Sequence, residues 1–371
     1  LERKELNMRA AVLQAWNEPF QVREVELDAP HQGEVLVKVV ASGVCHSDLS
    51  IQRGLLPMMP PIIIGHEGAG IVEEVGPGVT SVQKGDHVVL TWLYSCGYCR
   101  DCGRGRPHLC EKAAMATMSG AMYDGTTRFK VEGQPLRHWC GSFSEYTVVP
   151  EQAVIPIRKD VPLTSACLVG CGVMTGVGAA MNTARVEPGD TVAVVGCGGV
   201  GLNVIQGAQV CGAERIIAVD VVEKKLDLAK VFGATDTVNP KQGDWTDQVR
   251  SLTGGKGADF VFEVVGNPDL IQQAFAAVRR GGKLVLVGVP ALGQQVTFPA
   301  MNFPLEEKGV IGSYYGSPRF RYDMPRILDL YMAKRIKLDE LVSRKLKLDE
   351  INTAMSLIEQ GEVARSVIVH Q

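Results

Sequence analysis

Residues 96–110 read CGYCRDCGRGRPHLC and set Cys96, Cys99, Cys102 and Cys110 with two, two and seven residues between them. Thiolates so spaced can converge on one tetrahedral zinc, and four of them close its coordination sphere. A closed site staples a fold and leaves no position for a substrate. Metal-assisted chemistry therefore needs a second, open set. Cys45 in GVCHSD, His66 with Glu67 in GHEGAG, and Cys171 in LVGCGV offer one. Two thiolates and an imidazole leave the fourth zinc position for water or substrate. Spacing alone does not select this set, because Cys140 and Cys167 compete with Cys171 and His66 reads equally well as an interior histidine.

A third constellation concerns a dinucleotide. Gly196, Cys197, Gly198, Gly199, Val200 and Gly201 fit G-x-G-x-x-G between an apolar strand and a helix. The first glycine permits a tight turn, the second lets backbone approach a pyrophosphate, and the third lets the helix pack on the strand. The helix N-terminus attracts the negative charge. Asp220 ends the next strand, nineteen residues beyond Gly201, where a carboxylate can bind both hydroxyls of an adenosine ribose. An acid there repels a 2′-phosphate, so NAD is expected over NADP.

Two kinds of element must position these groups. From Met8 to about Pro156 the segments GEVLVKVVASGV, GAGIVEEVGPGV, GDHVVL and FSEYTVVP read as strands broken by glycine. They predict an antiparallel, barrel-like domain from which the four-cysteine lobe projects. From about Gly172 strands alternate with helices: DTVAVV, RIIAVDVV, ADFVFEVVG and KLVLVGVP are strands, while EKKLDLAKVFGA and PDLIQQAFAAVRRGG are helices. That rhythm predicts a parallel sheet covered on both faces. The tail after Met324 reads as mostly helical and closes with the strand RSVIVH, which is expected to return to the first domain.

Two domains also suit the 371-residue length, which exceeds what one core sustains. The composition, 46% hydrophobic and 21% charged, is that of an ordinary soluble protein. A net charge of -3 gives no electrostatic reason to expect nucleic acid or an anionic membrane. No apolar run approaches bilayer length, and the first residues lack a signal-peptide core. Ten cysteines without such a signal argue for thiols and metal ligands in a reducing cytoplasm rather than for disulfides.

The stretch GHEGAGIVEEVGPGV fits the signature of the zinc-dependent medium-chain alcohol dehydrogenases at Gly65, His66, Glu67, Gly70, Gly76 and Val79. The chain resembles that family from about Met8 onward, through the cysteine lobe, GCGVMTG, VGCGGVG and GEVARSVIV. Residues 1–7 precede the family-like start MRAAVL. The segment DGTTRFKVEG...HWCGSFSEYTVV resembles the longer class I and class III branches. The resemblance implies an α/β protein: a GroES-like β-rich catalytic domain at 8–172 and 315–371, and a Rossmann doubly wound parallel-sheet domain for NAD at 173–314. It implies two zinc ions per chain, a catalytic one on Cys45, His66 and Cys171 and a structural one on the four lobe cysteines. Ser47 matches the hydroxyl that accepts the alcohol proton, Asp48 the carboxylate that orients the ligand histidine, and Glu67 the acid behind the metal. The family's chemistry is zinc-assisted ionisation of an alcohol, followed by hydride transfer to nicotinamide. His46, Thr175, Val200, Lys225, Val287 and Arg365 match positions that contact the coenzyme. The class I relay histidine is replaced by Ser50, which leaves the last proton step to water or His46.

By the same resemblance Leu56, Trp92, Met115, Trp139, Val289 and Tyr314 line the substrate channel. An apolar and aromatic wall suits a primary aliphatic or aromatic alcohol, and the corresponding aldehyde in reverse. Class III relatives anchor the carboxylate of a glutathione adduct with an arginine where this chain has Ala114, and their acidic loop reads LLPMMPP here. A thiol-adduct formaldehyde dehydrogenase, of the mycothiol or glutathione type, is the second reading. A non-catalytic NAD- and zinc-binding assembly protein is the third. Relatives join nucleotide-domain sheet edges, and GQQVTFPAMNF resembles that region, so a homodimer is expected, with a tetramer as the alternative.

Overall fold

The computed structural model describes residues 5–361 and 364–370, so 362 and 363 of the GEVARSVIV match lie outside the described residues. The chain divides into two compact units: Leu1–Cys171 with Arg319–Lys334 and Leu338–Gln371, and Gly172–Pro318 with Arg335–Lys337. Against the expected bounds of 8–172 with 315–371 and 173–314, the chain divides after Cys171 and after Pro318, and Arg335–Lys337 falls with the second unit.

In the first unit the strands are β1 (Leu6–Leu13), β2 (Gln21–Leu27), β3 (Glu34–Val44), β4 (Ile62–Ile63), β5 (Glu67–Val75), β6 (His87–Leu90), β7 (Phe129–Val131), β8 (Gln134–His138), β9 (Tyr146–Pro150) and β10 (Val154–Pro156). The second unit holds β11 (Thr191–Val195), β12 (Arg215–Val219), β13 (Asp236–Val238), β14 (Ala258–Glu263), β15 (Val278–Leu286) and β16 (Gly309–Gly312). The chain then returns to the first unit with β17 (Val342–Leu346) and β18 (Arg365–Val369).

β1, β2, β7, β8 and β4 close a small barrel around Val12, Val25, Leu27, Ile63, Phe129 and Leu136. The long-branch insertion is thus structural, since it supplies β7 and β8. Arg128 beside β7 makes a buried bidentate pair with Glu34 at 2.9 and 2.6 Å, tying that insertion to β3. A second sheet runs β10-β6-β5-β3-β18-β17, with β9 also pairing β3. β3 is buried along nearly its whole length, as a strand covered on both faces must be.

The second unit is one parallel sheet in the order β13-β12-β11-β14-β15-β16, the doubly wound order 3-2-1-4-5-6. In β11, TVAVV, the four residues after Thr191 are apolar and buried without alternation, as expected of a central parallel strand covered on both faces. Ligands of such sheets bind beyond the carboxyl ends of the strands, where the order reverses between β11 and β14. That is where the glycine loop leaves β11.

Five expectations need correction. Leu6 and Asn7 belong to β1, pairing with Leu27 and Glu26, so the fold begins before Met8. The barrel is not wholly antiparallel, because β4 and β8 run parallel. The helix begun by Pro268 stops at Ala277; Val278 pairs with Ala258, and the Arg279–Asp259 ion pair draws VRRGG into the sheet. β15 is not the last strand, since GVIG forms β16 at the sheet edge, while GQQVTFPAMNF makes a turn and leads into the helix Asn302–Glu306. The tail is less helical than expected: VSRKL is β17, laid parallel on β18. Its exposed Arg344 and Lys345 have good helix propensity, but here they guard a sheet edge.

Candidate active site and metal centres

Three elements of the first unit deliver an open donor set. β3 ends at Val44 and passes Cys45 to the start of the helix His46–Gln52. His66 immediately precedes β5, and Cys171 follows the tight turn Cys167–Gly170. Donor atoms of Cys45, His66, Glu67 and Cys171 all lie within 4.8 Å of one another, and all four residues are buried. Asp48 organises two of them. Its Oδ2 accepts from the Cys45 backbone N–H at 2.9 Å, and its Oδ1 lies 2.9 Å from His66 Nδ1. A proton on Nδ1 leaves the lone pair on Nε2, which is buried and has no hydrogen-bond partner among the described residues. That orphaned acceptor, facing two thiols, fits a metal ligand.

The electrostatics agree. The hydrogen bond from Cys171 holds the Cys45 thiol well below its usual range, and the same bond pushes Cys171 up. Burial opposes charge on His66, but Asp48 and Cys45 together lift it to about 10. The pocket thus favours positive charge at Nε2, where a proton and a metal ion compete for one lone pair. Glu67 stands opposite Gly43 across the β3–β5 ladder, with Oε2 3.6 Å from Arg365 Nε. A Cβ on Gly43 would lie 2.1 Å from that oxygen, so only glycine leaves room for the carboxylate. Sequence reasoning missed Gly43; its place two residues before Cys45 was the available signal. It also missed the Arg365–Glu67 pairing, having given Arg365 to the coenzyme.

Aromatic rings wall the histidine. Trp139 stacks on His66 with centroids 4.1 Å apart and planes 23° apart, and Trp92 meets the ring edge-on at 6.4 Å. Ser47 is half-buried with Oγ 3.9 Å from Cys45 Sγ, whereas His46 is exposed. Leu56 is half-buried and Met115 is 67% exposed. Val289 and Tyr314 belong to the second unit and are exposed there. Cys140 and Cys167 are buried, but neither joins the donor cluster.

The lobe gathers Cys96, Cys99, Cys102 and Cys110 with every sulfur within 4.8 Å of the others. A tetrahedral zinc with Zn–S bonds of ~2.3 Å asks for sulfurs about 3.8 Å apart. Burial opposes ionisation of Cys96, yet backbone N–H groups of Tyr98 and Cys99 bring it down to about 7, while burial pushes Cys102 up to about 12. All ten cysteines are free of disulfides, so thiol chemistry is available at both clusters.

In the second unit the glycine loop behaves as its pattern requires. Gly196 has φ +97°, and a Cβ on Gly201 would lie 1.8 Å from the Gly196 carbonyl oxygen. A Cβ on Gly198 would meet nothing within 4 Å, which leaves an open cradle before the helix Gly199–Cys211. Asp220 Oδ2 accepts from Cys197 N–H at 2.9 Å and Oδ1 from Val222 N–H at 3.0 Å, so the acid is locked to the loop. Lys225 and Thr175 are half-buried, as is Val200, and Val287 is buried at the end of β15.

Comparison with known proteins follows the same division. Residues 31–159 match the alcohol dehydrogenase GroES-like domain, and residues 199–333 match the zinc-binding dehydrogenase family. An S-(hydroxymethyl)glutathione dehydrogenase of Synechocystis sp. is 42% identical over 98% of this chain and 100% of its own. Among solved structures, an alcohol dehydrogenase zinc-binding domain protein from Burkholderia ambifaria superposes with a TM-score of 0.96 at 35% identity. Benzyl alcohol dehydrogenase from Acinetobacter calcoaceticus gives 0.94 at 35%; each alignment covers 99% of this chain and 100% of the other.

The chain belongs to the zinc-dependent medium-chain alcohol dehydrogenases.

As a zinc-dependent alcohol dehydrogenase it is an oxidoreductase working with NAD(H) and zinc, not a non-catalytic assembly protein. Its fold is the GroES-like unit joined to a Rossmann unit. Among its described residues no single helix is long and apolar enough to cross a membrane.

Proposed function

We propose that this dehydrogenase oxidises primary alcohols, with flat aromatic ones preferred, and reduces the matching aldehydes, using NAD. The observation that carries the reading is a buried His66, fixed by Asp48, whose free nitrogen faces two thiols beside Trp92 and Trp139. Cys45, His66 and Cys171 would hold the catalytic zinc, and the lobe cysteines a structural one. When bound, the catalytic zinc supplies the Lewis acidity that lowers the pKa of an alcohol substrate. Ser47 takes the hydroxyl proton, and Asp48 keeps the histidine lone pair aimed inward. Ser50, half-buried, stands where relatives carry a relay imidazole, so the proton leaves through water or the exposed His46. When bound, NAD would supply the hydride acceptor; the Gly196–Gly201 loop would hold it, with Asp220 on the ribose hydroxyls, Lys225 beside it, and Thr175, Val200 and Val287 at the nicotinamide end. Glu67 and Arg365 set the charge behind the zinc ligands.

The preference for aromatic alcohols also has the benzyl alcohol dehydrogenase likeness behind it. The thiol-adduct reading rests on relatives named S-(hydroxymethyl)glutathione dehydrogenase. Against it stand Ala114, which offers no charge for a carboxylate, and an LLPMMPP loop exposing Leu55 and Met59. A substrate panel with NAD, run with and without glutathione and mycothiol, decides. Turnover of benzyl and short primary alcohols without thiol is expected; formaldehyde oxidation that appears only with a thiol would replace this reading by the second.

The free thiols support a reducing cytoplasm as the compartment. A homodimer joined at the β16 edge is proposed, with the exposed Met301 and Leu305 nearby in support; a tetramer is the alternative.

A further inference from the structure

Trp139 reaches His66 by way of a strained turn. Cys140 has φ +58° and Gly141 φ +73°, so a β-carbon-bearing residue is held in the left-handed region, where such residues are disfavoured. Both backbone polar groups of Cys140 are clamped by buried side chains. Its N–H donates to the Tyr94 hydroxyl at 3.1 Å, and its carbonyl accepts from Thr147 Oγ1 at 2.7 Å. The turn is also stitched to the segment leading into His66: Trp139 N–H donates to Ile63 O at 2.9 Å, and Ser142 N–H to Gly65 O at 3.0 Å. Strain kept in place by four hydrogen bonds is a mark of a turn whose geometry is used.

Its product is the stacked contact, 4.1 Å between centroids at 23°. The Asp48 hydrogen bond holds one edge of the imidazole, at Nδ1, and the remaining tilt of the ring about its side-chain torsions is limited by what packs on its faces. An indole lying flat on one face opposes that tilt, and Trp92 meeting the ring edge-on narrows it further. We propose that Trp139 is a positioning residue for the catalytic metal: it sets the plane of His66 so that Nε2 stays aimed at the site of Cys45 and Cys171. Tyr94 and Thr147 act one step behind it, by holding the turn. This rests on the metal-site reading under Proposed function.

The test uses the zinc holoenzyme and, for the spectrum, holoenzyme with cobalt exchanged into the open site. Trp139→Leu is expected to weaken the hold on one of the two metals by about tenfold, read as faster transfer to a chelator, the low end of the affinity loss typical of outer-shell substitutions. The lobe metal should leave at the parent's rate, and the visible cobalt band should shift. Trp139→Phe, which keeps a flat face, should restore most of the parent rate and band. Tyr94→Phe, which removes the acceptor for Cys140 N–H, should change both in the same direction as leucine but less. Parent-like release and spectrum in Trp139→Leu would overturn the proposal, as would a phenylalanine variant as fast as the leucine one. Should Trp139→Leu fail to fold, unchanged release in Tyr94→Phe overturns it instead. The underlying reading fails separately: Cys45→Ser that still binds two metals sinks the site assignment, whereas a fall from two to one with no Trp139 effect sinks only this inference.

Discussion

The two cysteine-rich clusters solve opposite problems with the same donor chemistry. In the lobe all four ligand candidates come from fifteen consecutive residues, and short helices and turns bring the sulfurs together. In the open cluster the donors come from β3's end, β5's start and a turn 126 residues beyond Cys45, and several are backed by groups that are not donors. Asp48 aims His66, Gly43 makes room for Glu67, and Arg365 faces Glu67. A site meant only to hold a metal can be local and self-contained. A site that must keep one position free borrows its rigidity from the whole domain.

The comparison breaks most sharply under paired substitutions. Cys45→Ser is expected to lower metal content from two to one per chain and turnover by at least about a thousandfold, with thermal stability close to the parent's. Cys99→Ser should also leave one metal, but with a pronounced loss of melting temperature, because a structural zinc contributes folding energy directly. Metal analysis, an NAD reduction assay and a melting curve on both variants check this. Equal melting losses in the two would erase the distinction between open and closed sites.

Acid sharpens it by probing the scaffold that only the open cluster borrows. Burial lowers His138 to about 4, with the Arg128 charge adding to the effect. Burial likewise lowers His370 to about 4, against the opposing bond from its ring to Ser142 O. Both flank the 139–143 segment beside His66. A depressed histidine means that the unfolded chain takes up a proton below about 6.5 while the folded one resists it down to about 4. Stability is therefore full above pH 6.5 and falls as pH drops toward 4, on the order of 3 kcal/mol for each group at the lower end. Denaturant unfolding of parent and His370→Gln between pH 7 and 4 should show a shallower decline in the variant. Parallel curves would remove His370 from the account.

The smallest effect lies outside both clusters. Asp220→Gly should shift the NADP-to-NAD preference by about tenfold, by removing an acid that repels the 2′-phosphate. An unchanged ratio counts against that role, and altered metal content would show that the coenzyme loop and the zinc ligands are not independent.

Legibility in the sequence followed locality. The lobe could be read from spacing because its cysteines are neighbours, and the glycine loop because an apolar strand, three glycines and a later acid share one βαβ unit. Cys171 could not be chosen over Cys140 or Cys167 by spacing; only the wider family resemblance pointed to it. Register across strands was invisible, so Gly43 opposite Glu67, Arg365 beside Glu67 and Trp139 flat on His66 all went unread. β16 and β17 escaped for a related reason. GVIG and VSRKL are too short and too mixed to declare themselves, and become strands because β15 and β18 offer them ladders.

The pairing of Ala41–Val44 with Ser366–Val369 bears on how the polypeptide is made. More than three hundred residues separate the two halves of that ladder. At ~5–20 residues per second a ribosome needs roughly 15 to 65 s to deliver the second half after the first. For that interval the nascent chain carries the Ala41–Val44 stretch of one β3 edge bare, beyond the part that β9 covers, the state in which strands recruit the wrong neighbour. Biosynthesis of this protein thus has a built-in waiting time, and shielding by a chaperone matters most while the nucleotide unit is being translated.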